Sequence, residues 1–154
     1  MSPTFTQLNH GWNADPNGPD PRAEWDGLSL RLRFRMNSFQ FPEYDAEDIG
    51  EIVFDDCSRF RLGTVNDEGW YRGQGRFGRA GHSWGEFYEV AGGLDPGTAQ
   101  DDWVVRCPDA ESYRHFLFYF RDEDFECVAR GWNLKISKAQ QGGASNGLNP
   151  VRWP

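Results

Sequence analysis

From Leu28 to Met36 the chain alternates without a break: Leu28, Leu30, Leu32, Phe34 and Met36 take one side, and Ser29, Arg31, Arg33 and Arg35 the other. A period of two marks a strand with one face buried and one in water, because successive side chains of extended backbone point to opposite faces. A helix would scatter the same five apolar residues around its circumference. At about 1.5–3 kcal/mol for each large apolar side chain fully buried, this face predicts a major anchor of a sheet-built core.

The remaining segments extend that reading. Residues 50–54 and 58–62 predict two short strands, joined as a hairpin across the turn-prone pair Asp55-Asp56. Trp70 to Phe77 sets Tyr71, Gly73, Gly75 and Phe77 against Trp70, Arg72, Gln74 and Arg76, and a further strand is expected from Trp84 to Val90. The densest apolar stretch, Phe116-Leu117-Phe118-Tyr119-Phe120, is too short and too aromatic for a buried helix and suits a central strand. After the turn Asp122-Glu123-Asp124, residues 125–136 read as its partner, so 113–136 is expected as one long antiparallel hairpin. A short helix is expected near Pro42 to Asp48, with proline in its first turn. The fold class is therefore all-β, a single antiparallel β-sandwich or β-barrel of about 7–9 strands with at most one or two short helices. One domain is expected over residues 1–138, opened by an irregular Pro/Asn/Gly-rich lead-in at 9–21. The glycine-rich run Gly142 to Gly147 predicts a flexible tail over 139–154.

Composition narrows the function classes. The chain has 154 residues, 38% hydrophobic and 16% aromatic, enough to build one core and far from a disordered composition. No apolar run approaches the roughly 18 residues of a transmembrane helix, so no membrane partner is expected. Sixteen Lys and Arg against 24 Asp and Glu give a net charge of -8, the wrong sign for nucleic-acid phosphates. The same balance suits a soluble domain, or an inhibitor of a basic target. Glu43, Asp45, Glu47, Asp48, Glu51, Asp55 and Asp56 follow one another with no Lys or Arg between them, which predicts an acidic patch. Cys57, Cys107 and Cys127 are odd in number and widely spaced, and the opening residues lack a secretory pattern, so a cytoplasmic location is expected.

Individual motifs carry little chemistry. Gly73-Gln74-Gly75-Arg76-Phe77-Gly78 matches G-x-G-x-x-G, but no helical pattern follows to aim an N-terminus at a pyrophosphate, so no cofactor is expected. His10, His82, His115 and the cysteines show no metal-ligand spacing, and no metal is expected. His115 falls on the strand face opposite Phe116, Phe118 and Phe120. The strongest catalytic set is His82, Glu86 and Glu89 with Asp67 and Glu68, carboxylates near aromatic rings as in glycoside hydrolysis. The plain alternative pairs Glu86 with Arg72 or Arg76 across the sheet. Trp70 with Arg72 and Arg76 has the composition of an interface centre, and rings such as Trp84 suit a ligand-lined groove.

The segments Asn66-Asp67-Glu68-Gly69-Trp70-Tyr71-Arg72-Gly73-Gln74, Trp84-Gly85-Glu86-Phe87-Tyr88-Glu89-Val90 and His115-Phe116-Leu117-Phe118-Tyr119-Phe120-Arg121-Asp122 resemble a group of small uncharacterised bacterial proteins. The resemblance spans residues 8–133 and implies a bacterial origin and a dedicated binding module, such as a toxin-neutralising immunity protein. The leading expectation is thus a non-enzymatic protein-binding domain, monomeric or dimeric. It would use the acidic segment, with Glu43, Asp45, Glu47 and Asp48, or the Trp70, Arg72, Arg76 face. A small-ligand or carbohydrate-binding β-domain is the alternative, and a hydrolase the third reading.

Overall fold

The computed structural model describes residues 3–73, 77, 80–93 and 102–139. In chain order its elements are β1 (Thr4–Gln7), β2 (Arg22–Asp26), β3 (Ser29–Arg35), β4 (Ile49–Asp55), β5 (Arg59–Gly63), α1 (Asp67–Tyr71), β6 (Phe87–Ala91), β7 (Val104–Val105), β8 (Arg114–Tyr119), β9 (Asp124–Ala129) and β10 (Gly131–Ser137). All strand pairs are antiparallel. They form a six-stranded sheet of order β1-β6-β8-β9-β5-β7 and a four-stranded sheet of order β10-β4-β3-β2. The architecture is an all-β sandwich.

The alternating apolar face packs as its sequence predicts at Leu30, Leu32, Phe34 and Met36, all fully buried with Ile52 and Phe54 of β4, but Leu28, expected on the same face, sits in the turn before β3 and is 61% exposed. Rings from the two sheets interlock, Phe34 on Phe118 at 5.2 Å, Phe54 on Phe116 at 5.3 Å, and Trp132 on Phe87 at 5.0 Å. Gly50 faces this cluster because a Cβ there would come within 2.6 Å of the Met36 sulfur and 2.7 Å of the Phe34 ring.

The six-stranded sheet is covered on both faces, which explains the continuous apolar run in β8. Phe116 and Phe118 face the other sheet, while Leu117 and Tyr119 join Trp70, Phe77, Tyr88 and Val90 in a second buried cluster. The residues between β5 and β6 supply much of this outer cover.

Four sequence expectations need correction. β4 and β5 do not form a hairpin. They lie in different sheets, because Asp56 adopts a left-handed backbone (φ 48°) and its carboxylate is held by Arg106, Tyr113 and Arg130 at 2.7–2.8 Å. Residues 125–136 are two strands, β9 and β10, again in different sheets. The inward residues change parity there, from Phe125, Cys127 and Ala129 to Trp132, Leu134 and Ile136. The expected strand from Trp70 is instead the end of α1, whose N-cap Asn66 accepts a hydrogen bond from the Gly69 amide at 2.7 Å. Finally, 42–48 forms successive turns rather than a helix. The buried Asp48 carboxylate accepts from the Asp45 amide at 2.9 Å, a local bond that competes with helical pairing. The expected tail at 140–154 and most of the glycine motif at 73–78 lie outside the described residues.

Candidate functional site

A cleft of about 310 Å³ opens where the lead-in crosses the start of β6, at the small end of the roughly 300–1,000 Å³ usual for small-molecule sites. Three segments build it: Asn13 to Pro16 from the lead-in, Asn37 and Gln40 after β3, and Trp84 to Glu86 before β6. Tyr119 to Arg121 close it at the end of β8.

Its polar wall is a chain of side-chain amides ending on one carboxylate. Glu86 Oε2 accepts from Gln7 Nε2 at 2.6 Å and Asn9 Nδ2 at 3.0 Å, and Oε1 accepts from Asn13 Nδ2 at 2.9 Å. Asn37 Nδ2 donates to Asn13 Oδ1 at 2.8 Å, so the Asn13 oxygen is used and its NH₂ is turned toward Glu86. Asn37 Oδ1 in turn accepts from the Phe39 and Gln40 amides, both at 3.1 Å. Asn9 Oδ1 takes the Phe87 amide at 2.9 Å, which ties the lead-in to β6. Asn9, Asn13 and Asn37 are all buried, and each of their amides is oriented by a bond at its other end.

The aromatic wall is equally fixed. Trp84, half-buried, stacks on Tyr119 with centroids 4.5 Å apart and leans on Trp70 at 5.8 Å. Behind them the Tyr119 hydroxyl is hydrogen-bonded to His82 Nε2, and the His82 ring lies flat on Phe5 at 3.8 Å. Burial pushes the Tyr119 phenol up and the His82 imidazole down, to about 4, so the pair is neutral at pH 7. An unfolded chain would bind a proton on His82 near pH 6.5, whereas the folded one does so only near 4. Stability is therefore expected to fall as pH drops from about 6.5 to 4, and His82→Phe to make that decline shallower in a series of urea unfolding curves. An identical slope in the variant would refute this assignment.

The structure does not gather His82, Glu86, Glu89 and Glu68 of the catalytic set expected from the sequence, and the Asp67 side chain lies outside what is described. His82 is turned to Tyr119 and Glu86 to its three amides. Glu89 is held by Arg114 at 2.6 and 3.0 Å, and Glu68 is exposed on α1. Glu86 does not bond Arg72, which is exposed at the C-cap of α1. Trp70 is 7% exposed and belongs to the outer core, so the Trp70–Arg72 sheet face does not form, and Arg76 lies outside the described residues.

The acidic segment is largely matched by cations from elsewhere in the fold. Glu47 pairs with Arg35, Glu51 with Arg31 and Arg33, and Asp56 with Arg106 and Arg130. Asp48 is buried, which opposes its ionisation, but Lys138 and the Asp45 and Ala139 amides outweigh that and hold its carboxyl below the usual range. Glu43, Asp45 and Asp55 are the exposed remainder, with Glu47.

Among the described residues no three His, Cys, Asp or Glu side chains are grouped to hold a metal ion, and no helix is long and apolar enough to cross a membrane. Fold and cleft together define an antiparallel β-sandwich with an aromatic-walled, amide-rich pocket at one end. Comparison with family models, curated proteins and solved structures finds no match to this chain.

Proposed function

We propose that this protein binds a small carbohydrate-type ligand in the cleft between Trp84 and Glu86. The observation that carries the reading is the pairing of a pre-stacked indole with a carboxylate held by three oriented amides. A sugar ring presents an apolar C–H face and an edge of hydroxyls, which are both donors and acceptors. Trp84 suits the first, while Glu86 and Gln40 suit the second. Because the indole and the amides are already fixed, little ordering entropy opposes binding.

The test is a titration with neutral mono- and oligosaccharides, followed by tryptophan fluorescence and by the rise in unfolding temperature that any native-state ligand produces. Trp84→Ala is expected to weaken binding about tenfold or more, corresponding to roughly 1.4 kcal/mol. A panel that neither quenches fluorescence nor raises the unfolding temperature would overturn the reading, as would an unchanged affinity in Trp84→Ala.

A further inference from the structure

We infer that the ligand of this cleft carries an ammonium group set against Glu86, making it a basic amino sugar rather than a neutral one; this rests on the carbohydrate reading above. Elsewhere in the fold, carboxylates anchored by side chains sit on cations: Glu51 on Arg31 and Arg33, Glu89 on Arg114, Asp109 on Arg59, and Asp124 and Glu126 on Arg61. Glu86 departs from that rule. All three of its partners are neutral amides, which occupy part of its acceptor capacity and leave its charge in place.

The cleft as a whole is short of positive charge. Among the described residues that line it, Glu86 and Asp15 stand against one cation, Arg121, which donates through Nη1 to the Asn17 carbonyl at 2.9 Å. An anionic ligand would meet the Glu86 charge, and the Asn13 NH₂ cannot turn to it because the Asn37-to-Asn13 bond holds that group on Glu86. A cationic ligand meets the reverse. Glu86 Oε1 carries one hydrogen bond and retains acceptor capacity. An ammonium placed on it gains a charge-assisted bond about twice as strong as a neutral one. Trp84, two residues earlier, lines the same cleft and adds an indole to it.

The experiment is calorimetric titration at low salt, below the pKa of the ligand amine, comparing three oligosaccharides of equal length. One carries free amines, one the same amines acetylated, and one hydroxyls instead. Cyclohexylamine serves as an ammonium probe without a sugar. The free-amine oligomer is expected to bind about tenfold more tightly than the other two, and to lose that margin in Glu86→Gln and when pH is raised above the amine pKa. Glu86→Gln keeps the shape of the side chain, and a urea unfolding curve run alongside checks that it folds. The pH arm uses the native protein and needs no variant. Equal affinity for all three sugars, or a margin that survives in Glu86→Gln, overturns the ammonium inference while leaving the carbohydrate reading intact. Cyclohexylamine binding as tightly as the amino sugar supports the ammonium inference and removes the sugar. No binding by any probe overturns both.

Discussion

Replacing Arg61 by alanine is expected to lower the unfolding free energy by about 3–5 kcal/mol, the usual cost of removing one partner from a buried ion pair. Arg61 extends from β5 across the outer face of the six-stranded sheet, with its side chain 7% exposed. Its Nη1 donates to Asp124 at 3.0 Å and to Glu126 at 2.9 Å, and its Nε and Nη2 reach Asp102 at 3.1 and 2.9 Å. Glu126 is completely buried, and its second oxygen is bonded to His115 Nε2 at 2.7 Å. Without the guanidinium, the buried Asp124 and Glu126 carboxylates lose the cation that bridges them.

The three carboxylates push the Arg61 pKa above its ordinary value although burial opposes this, so the cation persists at every working pH. Gly63 is part of the same arrangement, because a Cβ at that position would strike the guanidinium and the Asp124 carboxylate. Urea unfolding of Arg61→Ala, compared with Arg61→Met combined with Glu126→Gln, separates the two contributions. The double variant should recover part of the loss, because the charge is removed along with its partner. A single variant within 1 kcal/mol of the native protein, by the ordinary scale of surface substitutions, would show that the network is not buried in solution.

How much of this was legible in the sequence depends on the range of each interaction. The strand β3 could be read because its signal is local, one face buried and one wet from Leu30 to Met36, although the same alternation carried the expectation one step too far, to the exposed Leu28. The run in β8 could be read as a central strand, but not what covers its outer face, since nothing in Phe116-Leu117-Phe118-Tyr119-Phe120 distinguishes a sandwich interior from a loop cover. The helix α1 carried a usable signal that the alternation after it masked, an asparagine N-cap followed by two acidic residues in the first turn. The crossing at Arg130 was also written in the chain, as the shift of inward residues from odd to even numbers.

The cleft was not legible. Trp84 and Glu86 could be named as residue types, but the three partners of Glu86 lie 73 to 79 positions away, Gln7 at the end of β1 and Asn9 and Asn13 in a lead-in that reads only as turn-forming. The same asparagines that mark an irregular segment are the ones that cradle the carboxylate. Side-chain amides have no periodicity to betray their use, so only the fold assigns them.

The second large effect is expected at Phe87, where core and cleft meet. The ring is fully buried and lies 5.0 Å from Trp132, 5.3 Å from Phe118, 6.0 Å from Phe54 and Phe116, and 6.2 Å from Trp12, so it is packed by both sheets. Its backbone holds the lead-in from both sides, the amide donating to Asn9 Oδ1 at 2.9 Å and the carbonyl accepting from the Leu8 amide at 2.8 Å. Phe87→Ala is expected to cost about 3–5 kcal/mol, because the surrounding rings are held in place and cannot close the cavity. Phe87→Leu retains most of the volume and should cost under about 1.5 kcal/mol. Both are measured as a shift in urea midpoint at constant slope. The informative comparison is with the cleft. If the amide cradle depends on the strand beneath it, Phe87→Ala should weaken ligand binding even in buffer where it remains folded, and Phe87→Leu should not. Binding that is unchanged in Phe87→Ala would mean that the Asn9 and Asn13 amides are held by their own network alone, independent of the core under β6.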